Sequence, residues 1–424
     1  MKANELKKQL KSGALSAYGH LYADLDRQTS RMIAAIDRFT ELYGDGRDIS
    51  LFSVPGRSEI VGNHTDHNRG CVLAGAIDRD IIAVAARNED GCIRFRSEGY
   101  SEDFVDLSKI DEPKNFKRFT SRALVAGLAR GFQQAGHAIG GYDAYSTREV
   151  LKGSGISSSA AFEVMVGNIL NYFYNDGEVS NVEIAKYAQF SENVFFGKPC
   201  GLMDQMACAV GGFVFIDFEK VDAPVIEPID FSLSDAGYAL CIINTGGNHA
   251  NLNEDYASVP REMKAVATAL GEEVLRPLSE EQLIRAIPTL RKQLGDRALL
   301  RALHFLRENG RVCAARDALK GGDLRGFLSQ VLASGRSSFQ YLQNVYTNQN
   351  PAEQGLSLAL AIAEGALAEA GGAWRVHGGG FAGTVQTFVP AAIAEDFCAR
   401  MDGVFGKGAA MKLRIRPVGA TKLF

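Results

Sequence analysis

Apolar positions recur at Leu21, Leu25, Met32, Ile33, Ile36, Phe39 and Leu42, the three-to-four spacing of an amphipathic helix. Residues 1–47 are therefore expected to be helical, with a stop near Gly44. From Ile49 to about Val105 the rhythm changes. DISLFSV, CVLAGAI and RDIIAVAARN are short apolar runs of the kind found in buried strands, and GCIRFRS alternates with period two. Helical spacing returns at 118–135, 158–174 and 181–195, followed by strand patterns at 211–218 (GGFVFIDF) and 237–245 (GYALCIINT). Residues 254–370 interleave charged and apolar residues as helices do. A strand at 374–377, the strand TVQTFVP, the helix AAIAEDFCARMDGVFG and the strand MKLRIRPV complete the chain. Strands mixed with helices, with no internal repeat or long linker, predict an α+β fold. The change of texture near 230–245 divides it into two domains, 1–235 and 236–424.

Composition narrows the function. The 46 basic and 50 acidic residues leave a net charge of −4, which argues against a nucleic-acid binder, since such a protein usually carries a basic stripe. A phosphorylated small molecule is still allowed, since a few local donors suffice. Glycine is in excess, with 45 in 424 residues against a usual share of roughly 7%. In an ordered chain that means tight turns or ligand sites lined by backbone. The seven cysteines form no Cys-x-x-Cys pair and most sit in apolar runs, which reads as reduced thiols of a cytoplasmic protein. The N-terminus MKANELKKQLKSG lacks the apolar core of a signal peptide, and no apolar run approaches the roughly 18–20 residues of a membrane span. No membrane or nucleic-acid partner is expected.

Three glycine-bearing segments carry candidate chemistry. PGRSEIVGNHTDHNRG, Pro55 to Gly70, packs Arg57, Asn63, His64, Asp66, His67, Asn68 and Arg69 between strands. It is either a polar surface turn or a loop that grips a polyhydroxylated ligand, with Arg57 for a phosphate. A dinuclear zinc motif is excluded by Gly62, which stands where the first histidine would be needed. KGSGISSSAAFEVMVGNIL starts with Gly153 and Gly155, then three serines, then an apolar helix pattern. Free N–H groups and the positive end of the helix dipole suit phosphates there. It is neither a Walker loop, since no Gly-Lys-Ser/Thr follows, nor a nucleophile elbow, since Ser159 takes the final glycine's place. An ordinary serine N-cap is the alternative. The third segment is HGGGFAG, His377 to Gly383. Between the last two, Asp204 lies in the apolar run of KPCGLMDQMACAVGG. It is a hydrogen-bonded cap, a salt-bridge partner or a general base.

Taken in order, these segments resemble the galactokinase branch of the GHMP kinases over nearly the whole chain. PGRSEIVGNHTDHNRG is similar to that branch's signature, GSGISSSAA to its phosphate loop, CGLMDQ to the segment holding its catalytic aspartate, and GGGFAG to its third motif. The resemblance implies a two-domain GHMP kinase fold. Its N-terminal domain would be ribosomal-protein-like and its C-terminal domain α+β, with the active site between them. It implies ATP-dependent phosphorylation of a sugar at its anomeric hydroxyl, with Mg²⁺ as cofactor, and leaves the oligomeric state open, with a monomer favoured. Carried over by position, Asp204 matches the base and Arg57 the stabiliser of the transferring group. Asn63, His64, Thr65, Asp66 and Tyr256 (in NEDYASVPREM) match sugar contacts. Gly153, Ser154, Gly155, Ile156, Ser157, Ser158 and Ser159 match the triphosphate loop, and Ser159 with Glu192 the magnesium positions. The chain departs from the family at Asn63, where a glutamate is usual, at His67 in place of a tyrosine, and at Leu151 in place of a proline. Asn63 opens the choice of sugar to N-acetylgalactosamine, arabinose or a uronic acid. A catalytically weak, sugar- and ATP-binding regulator is a further alternative, against which intact Asp204 and Arg57 argue.

Overall fold

Two long antiparallel strands, β1 (Ser50–Val61) and β2 (Cys71–Arg87), form the axis of the larger sheet. They belong to a computed structural model that describes residues 1–424 other than 151–155, 199, 222 and 248–251. The apolar runs CVLAGAI and RDIIAVAARN, which predict two strands, are joined into one. Asp80 interrupts the pattern, yet it is fully buried within the strand. It accepts hydrogen bonds from Arg31 at 2.6 Å, from the Tyr22 hydroxyl at 2.8 Å and from Ser53, and Arg416 lies 3.4 Å away.

β3 (Cys92–Ser97), β4 (Asp103–Asp106) and β5 (Tyr142–Arg148) extend the sheet on one side of β2, while β6 (Phe213–Asp217) and β7 (Val225–Ile229) join its N-terminal half. Among the described strands only the β3–β5 pair is parallel. The apolar pattern does not announce β5, because YDAYSTR carries Asp143 into the buried layer, where Arg47 and Arg94 bond it.

The expected N-terminal helix is two helices, α1 (Ala3–Lys11) and α2 (Leu25–Tyr43), separated by a 3₁₀ turn after Gly13. Leu6, Leu10, Met32, Ile36 and Phe39 cover one face of the sheet, packed on Leu51, Ile82 and Val84. The other face is covered by α3 (Ser121–Gln134), α4 (Ser158–Tyr174), α5 (Asn181–Phe190) and α6 (Met203–Val210). α5 runs on into a π-helical turn at Ser191–Phe196, which carries Glu192.

The second half begins with β8 (Tyr238–Asn244) and continues through α7 (Asn253–Ala269), α8 (Glu280–Leu294), α9 (Asp296–Lys320) and α10 (Leu324–Ser337). α7, α8 and α9 share a core around Val259, Met263, Leu283 and Phe305. After α11 (Gly355–Leu367), β9 (Ala373–His377) and β10 (Thr384–Pro390), the helix α12 (Ala394–Phe405) leads to β11 (Ala410–Leu413). These strands form a second, antiparallel sheet in the order β11-β8-β10-β9. The last strand, β12 (Thr421–Lys422), returns to the first sheet and pairs with β1. The result is the α+β mixture that the pattern predicts.

Candidate active site

The site lies where β1, the loop between β1 and β2, the N-terminal ends of α4 and α6, and the β9–β10 connection meet. Arg57 projects from β1 and Asp204 from the first turn of α6. The guanidinium grips the carboxylate with two parallel hydrogen bonds, Nε to Oδ1 at 2.7 Å and Nη2 to Oδ2 at 2.8 Å. Ser157, at the head of α4 in a left-handed conformation, donates its hydroxyl to Asp204 Oδ2. Burial pushes the Asp204 carboxyl up. The Arg57 charge and the hydrogen bonds from Arg57 and Ser157 outweigh it and hold the acid below its ordinary value. Burial opposes the Arg57 charge as well, and Asp204 more than restores it. The pair is therefore ionised on both sides at neutral pH. Arg57 is nearly enclosed, while the Asp204 side chain remains 32% exposed and open to a reactant.

A small cavity of about 140 Å³ opens beside this pair, lined by Asp66, Ser159, Glu192, Lys198, Asp204 and Gln205. Glu192 accepts from Gln205 Nε2 at 2.8 Å and from Lys198 at 3.3 Å. The same Gln205 nitrogen donates to Glu163 at 3.0 Å. Gly201 brings the chain before α6 against the loop between β1 and β2, since a Cβ there would stand 2.6 Å from Asp66 Oδ2. Ser158 and Ser159 also line a second cavity of about 270 Å³, whose walls include Leu124, Phe162, Phe196 and Tyr100.

Family models match this chain twice: GHMP kinases N terminal domain over residues 123–212, and galactokinase galactose-binding signature over residues 37–87. The chain is 31% identical over 385 residues to a galactokinase of Streptomyces coelicolor, covering 89% of this chain and 94% of that one. The chain belongs to the galactokinase family. A galactokinase of Actinobacillus pleuropneumoniae is 31% identical over 362 residues, 84% of this chain and 89% of its own. The crystal structure of Lactococcus lactis galactokinase complexed with galactose has the same fold, with a TM-score of 0.75 at 24% identity, covering 91% of this chain and 98% of that chain. Methanococcus jannaschii mevalonate kinase is more distant, with a TM-score of 0.60 at 14% identity over 87% of this chain and 98% of its own.

The galactokinase-family motifs found in the sequence fall around one cleft, but their side chains divide into two sets. His64 and Asp66 are partly exposed, whereas Asn63 and Thr65 are fully buried. The Asn63 amide donates to Glu59 at 3.1 Å and to the Gly378 carbonyl at 2.6 Å, and accepts from Asn344 at 2.7 Å. Thr65 bonds the carbonyls of Gly62 and Cys71. His64, at φ 56°, reaches the Gly379 carbonyl with Nε2 at 3.0 Å. Tyr256 on α7 donates to the Gly380 carbonyl at 3.0 Å and packs edge-on against Phe381. Burial raises the Asp66 carboxyl above its ordinary value, against the pull of His64. Of the triphosphate loop, Gly153, Ser154 and Gly155 lie outside the described residues, while Ile156 accepts from the Arg57 amide at 3.2 Å.

Sequence reading missed the polar layer behind the site. Glu163, Gln205, Glu59 and Arg375 gave one usable signal, a charged or amide residue set in an apolar run. Glu163 is fully buried, its Oε1 has no hydrogen-bond partner, and burial together with the Glu192 charge raises its carboxyl well above the ordinary range. Arg375, also fully buried, pairs with Glu59 at 3.0 Å.

Proposed function

We propose that this chain transfers the γ-phosphoryl group of ATP to the anomeric hydroxyl of galactose, with Asp204 as general base and Arg57 as the cation that offsets charge on the transferring group. The observation that carries the reading is the bidentate Arg57–Asp204 pair, closed on one side and open to the cleft on the other. Phosphoryl transfer asks mainly for positioning and charge neutralisation. An ionised carboxylate at the cleft can take the hydroxyl proton as the sugar oxygen bonds phosphorus and ADP departs. A planar guanidinium suits phosphoryl oxygens as well as it suits the carboxylate. His64 and Asp66, the partly exposed members of the sugar loop, hold the hydroxyls with Tyr256. Ile156, Ser157, Ser158 and Ser159 lead into the N-terminal end of α4, where free N–H groups favour phosphates. The cavity lined by Phe162, Phe196 and Leu124 beside Ser158 and Ser159 is the place for the base of the nucleotide.

Mg²⁺ fits the residues present. Among the described residues no cluster of three or more histidine, cysteine or carboxylate ligands exists. A hard ion that takes most of its oxygens from phosphates and water needs only the Ser159 hydroxyl and the Glu192 carboxylate, which share one polar cavity. When bound, it would neutralise phosphate charge. A second reading, a 1-kinase for another sugar, is favoured by one feature: the Asn63 amide is spent on Glu59, Gly378 and Asn344, so it leaves a sugar hydroxyl unread. No described helix is long and apolar enough to cross a membrane. A cytoplasmic location, a monomeric state and the domain division at 235/236 complete the proposal. ATP consumption against a panel of sugars, with the product phosphate located by NMR, tests it. Galactose failing while another sugar turns over replaces the substrate, and no turnover with any sugar sinks the enzyme.

A further inference from the structure

Helices α9 and α10 hold the sugar loop through a closed ring of hydrogen bonds. The Gly62 N–H donates to Glu308 Oε1 at 3.1 Å, and Glu308 Oε2 accepts from Arg311 Nε at 2.6 Å. Arg311 Nη2 donates to Ser337 Oγ at 2.7 Å, Ser337 meets His304 Nδ1 at 2.9 Å, and His304 Nε2 meets the Asn63 carbonyl at 2.9 Å. A carbonyl can only accept. His304 therefore carries its proton on Nε2, and its Nδ1 accepts from the Ser337 hydroxyl. The ring thus begins and ends on two adjacent loop residues. At the far end of the loop, the Cys71 N–H donates to Asn309 Oδ1 at 2.8 Å, again on α9.

Three features set this ring apart from ordinary surface bonding. Glu308, His304 and Ser337 are buried, so water does not compete for their bonds. Burial pushes the Glu308 carboxyl up, but His304, Arg311 and Arg375 bring it down to about 2, which keeps the ring charged. None of the three lines the cavity shared by Ser159, Glu192 and Asp204. The ring also closes just before His64, whose left-handed backbone is unfavourable for a residue with a Cβ and persists only where its surroundings impose it.

We propose that Glu308 is a positioning residue for sugar recognition. Through Arg311, Ser337 and His304 it fixes the Gly62 N–H and the Asn63 carbonyl, on either side of the Gly62–Asn63 peptide, so that His64 and Asp66 face the sugar, and α9 sets sugar affinity from outside the site. The inference rests on the reading that this loop grips the sugar.

Steady-state kinetics of Glu308→Gln and Ser337→Ala, with galactose and ATP varied separately and thermal melts alongside, test it. Losing one charge-assisted hydrogen bond from the ring is expected to raise the galactose KM about tenfold in Glu308→Gln. Ser337→Ala, which breaks the ring with little change of volume, is expected to raise it about threefold or more. The ATP KM and kcat should stay within about twofold in both, since the ring does not touch the nucleotide side. An unchanged galactose KM in Ser337→Ala overturns the proposal, as does a parallel rise of both KM values. If Glu308→Gln does not fold, Ser337→Ala alone decides. A wild-type protein that does not turn over galactose sinks the substrate reading instead, and the same KM split is then measured with the sugar the panel identifies.

Discussion

Replacing Asp204 with asparagine is the sharpest perturbation of the mechanism. The substitution keeps the volume, removes the proposed base, and sets an amide N–H₂ against a guanidinium that presently donates two bonds at 2.7 and 2.8 Å. One bond survives through the amide oxygen, and the other becomes a donor facing a donor. Loss of a positioned general base costs about 10²- to 10⁴-fold in kcat. Stability suffers less. Breaking a buried ion pair costs about 3–5 kcal/mol, but the Asp204 side chain is 32% exposed. Solvent screening brings the expected cost to about 1–3 kcal/mol. For a chain of 424 residues that moves Tm by only a few degrees. An assay of ADP release at 25 °C therefore measures folded mutant protein. The wild-type carboxyl sits below its ordinary value, so its ionised, proton-accepting form persists as pH falls through 7 and 6, and kcat should not fall on its account until below about pH 5. A folded mutant whose kcat stays within tenfold of wild type refutes the role of Asp204. A wild-type kcat that titrates near pH 6–7 places the controlling proton on another group.

Three further perturbations reach other parts of the molecule. Burial lowers His304 to about 4 and His377 to about 3, so both are neutral in the folded protein and charge first in the unfolded chain. Their contribution is complete above the unfolded value near 6.5 and is lost as pH falls toward those folded values. Urea unfolding should show stability dropping by about 2–3 kcal/mol per pH unit between 6 and 5, and a flat profile there would mean the two rings are hydrated. Glu192→Gln removes the carboxylate proposed as the Mg²⁺ ligand. The Mg²⁺ concentration for half-maximal rate should rise about tenfold or more while the galactose KM holds, and a titration with a chelator should abolish wild-type turnover. Asn63→Glu restores the residue usual in the family, yet it would bury a second carboxylate beside Glu59, to which Asn63 now donates at 3.1 Å. It is expected to lower Tm by several degrees without improving the galactose KM, and a stable mutant with tighter galactose binding would show that the loop can turn this side chain outward.

Residues that answer to a ligand were easier to find in the sequence than residues that answer to one another. Arg57, Asp66, Ser159, Glu192 and Asp204 come from segments far apart, and the structure gathers them at one cleft. Arg57 and Asp66 stood out as part of a dense polar cluster flanked by glycines and Asp204 as a lone acid in an apolar run, whereas Glu192 and the metal role of Ser159 came only with the family resemblance. The ring on α9 was not legible. In ALHFLRENGRV, His304, Glu308 and Arg311 follow helical spacing, so they look like a solvated face, yet His304 and Glu308 are buried and face a loop that precedes them by more than two hundred residues. The same blindness hid β5 and split β2, because Asp143 and Asp80 break apolar runs whose compensating arginines, Arg47, Arg94, Arg31 and Arg416, lie elsewhere in the chain.

The loop between β1 and β2 shows why a motif match by position does not assign a task to each side chain. A segment that crosses the boundary between core and cleft turns successive residues to opposite sides, and here the buried members are Asn63 and Thr65 while the partly exposed ones are His64 and Asp66. Asn63 and Thr65 satisfy carbonyls and amides that burial would otherwise leave unpaired. Asp66 and Asp204 keep their carboxylates toward one cavity, and their acidities are driven apart. Arg57 and Ser157 depress Asp204, whereas burial lifts Asp66 and Asp204 repels it. Two carboxylates separated in this way suit a site in which one must accept a proton and the other must hold hydroxyls. The difference in acidity follows from where the arginine stands, on β1 opposite α6, and not from the carboxylates themselves.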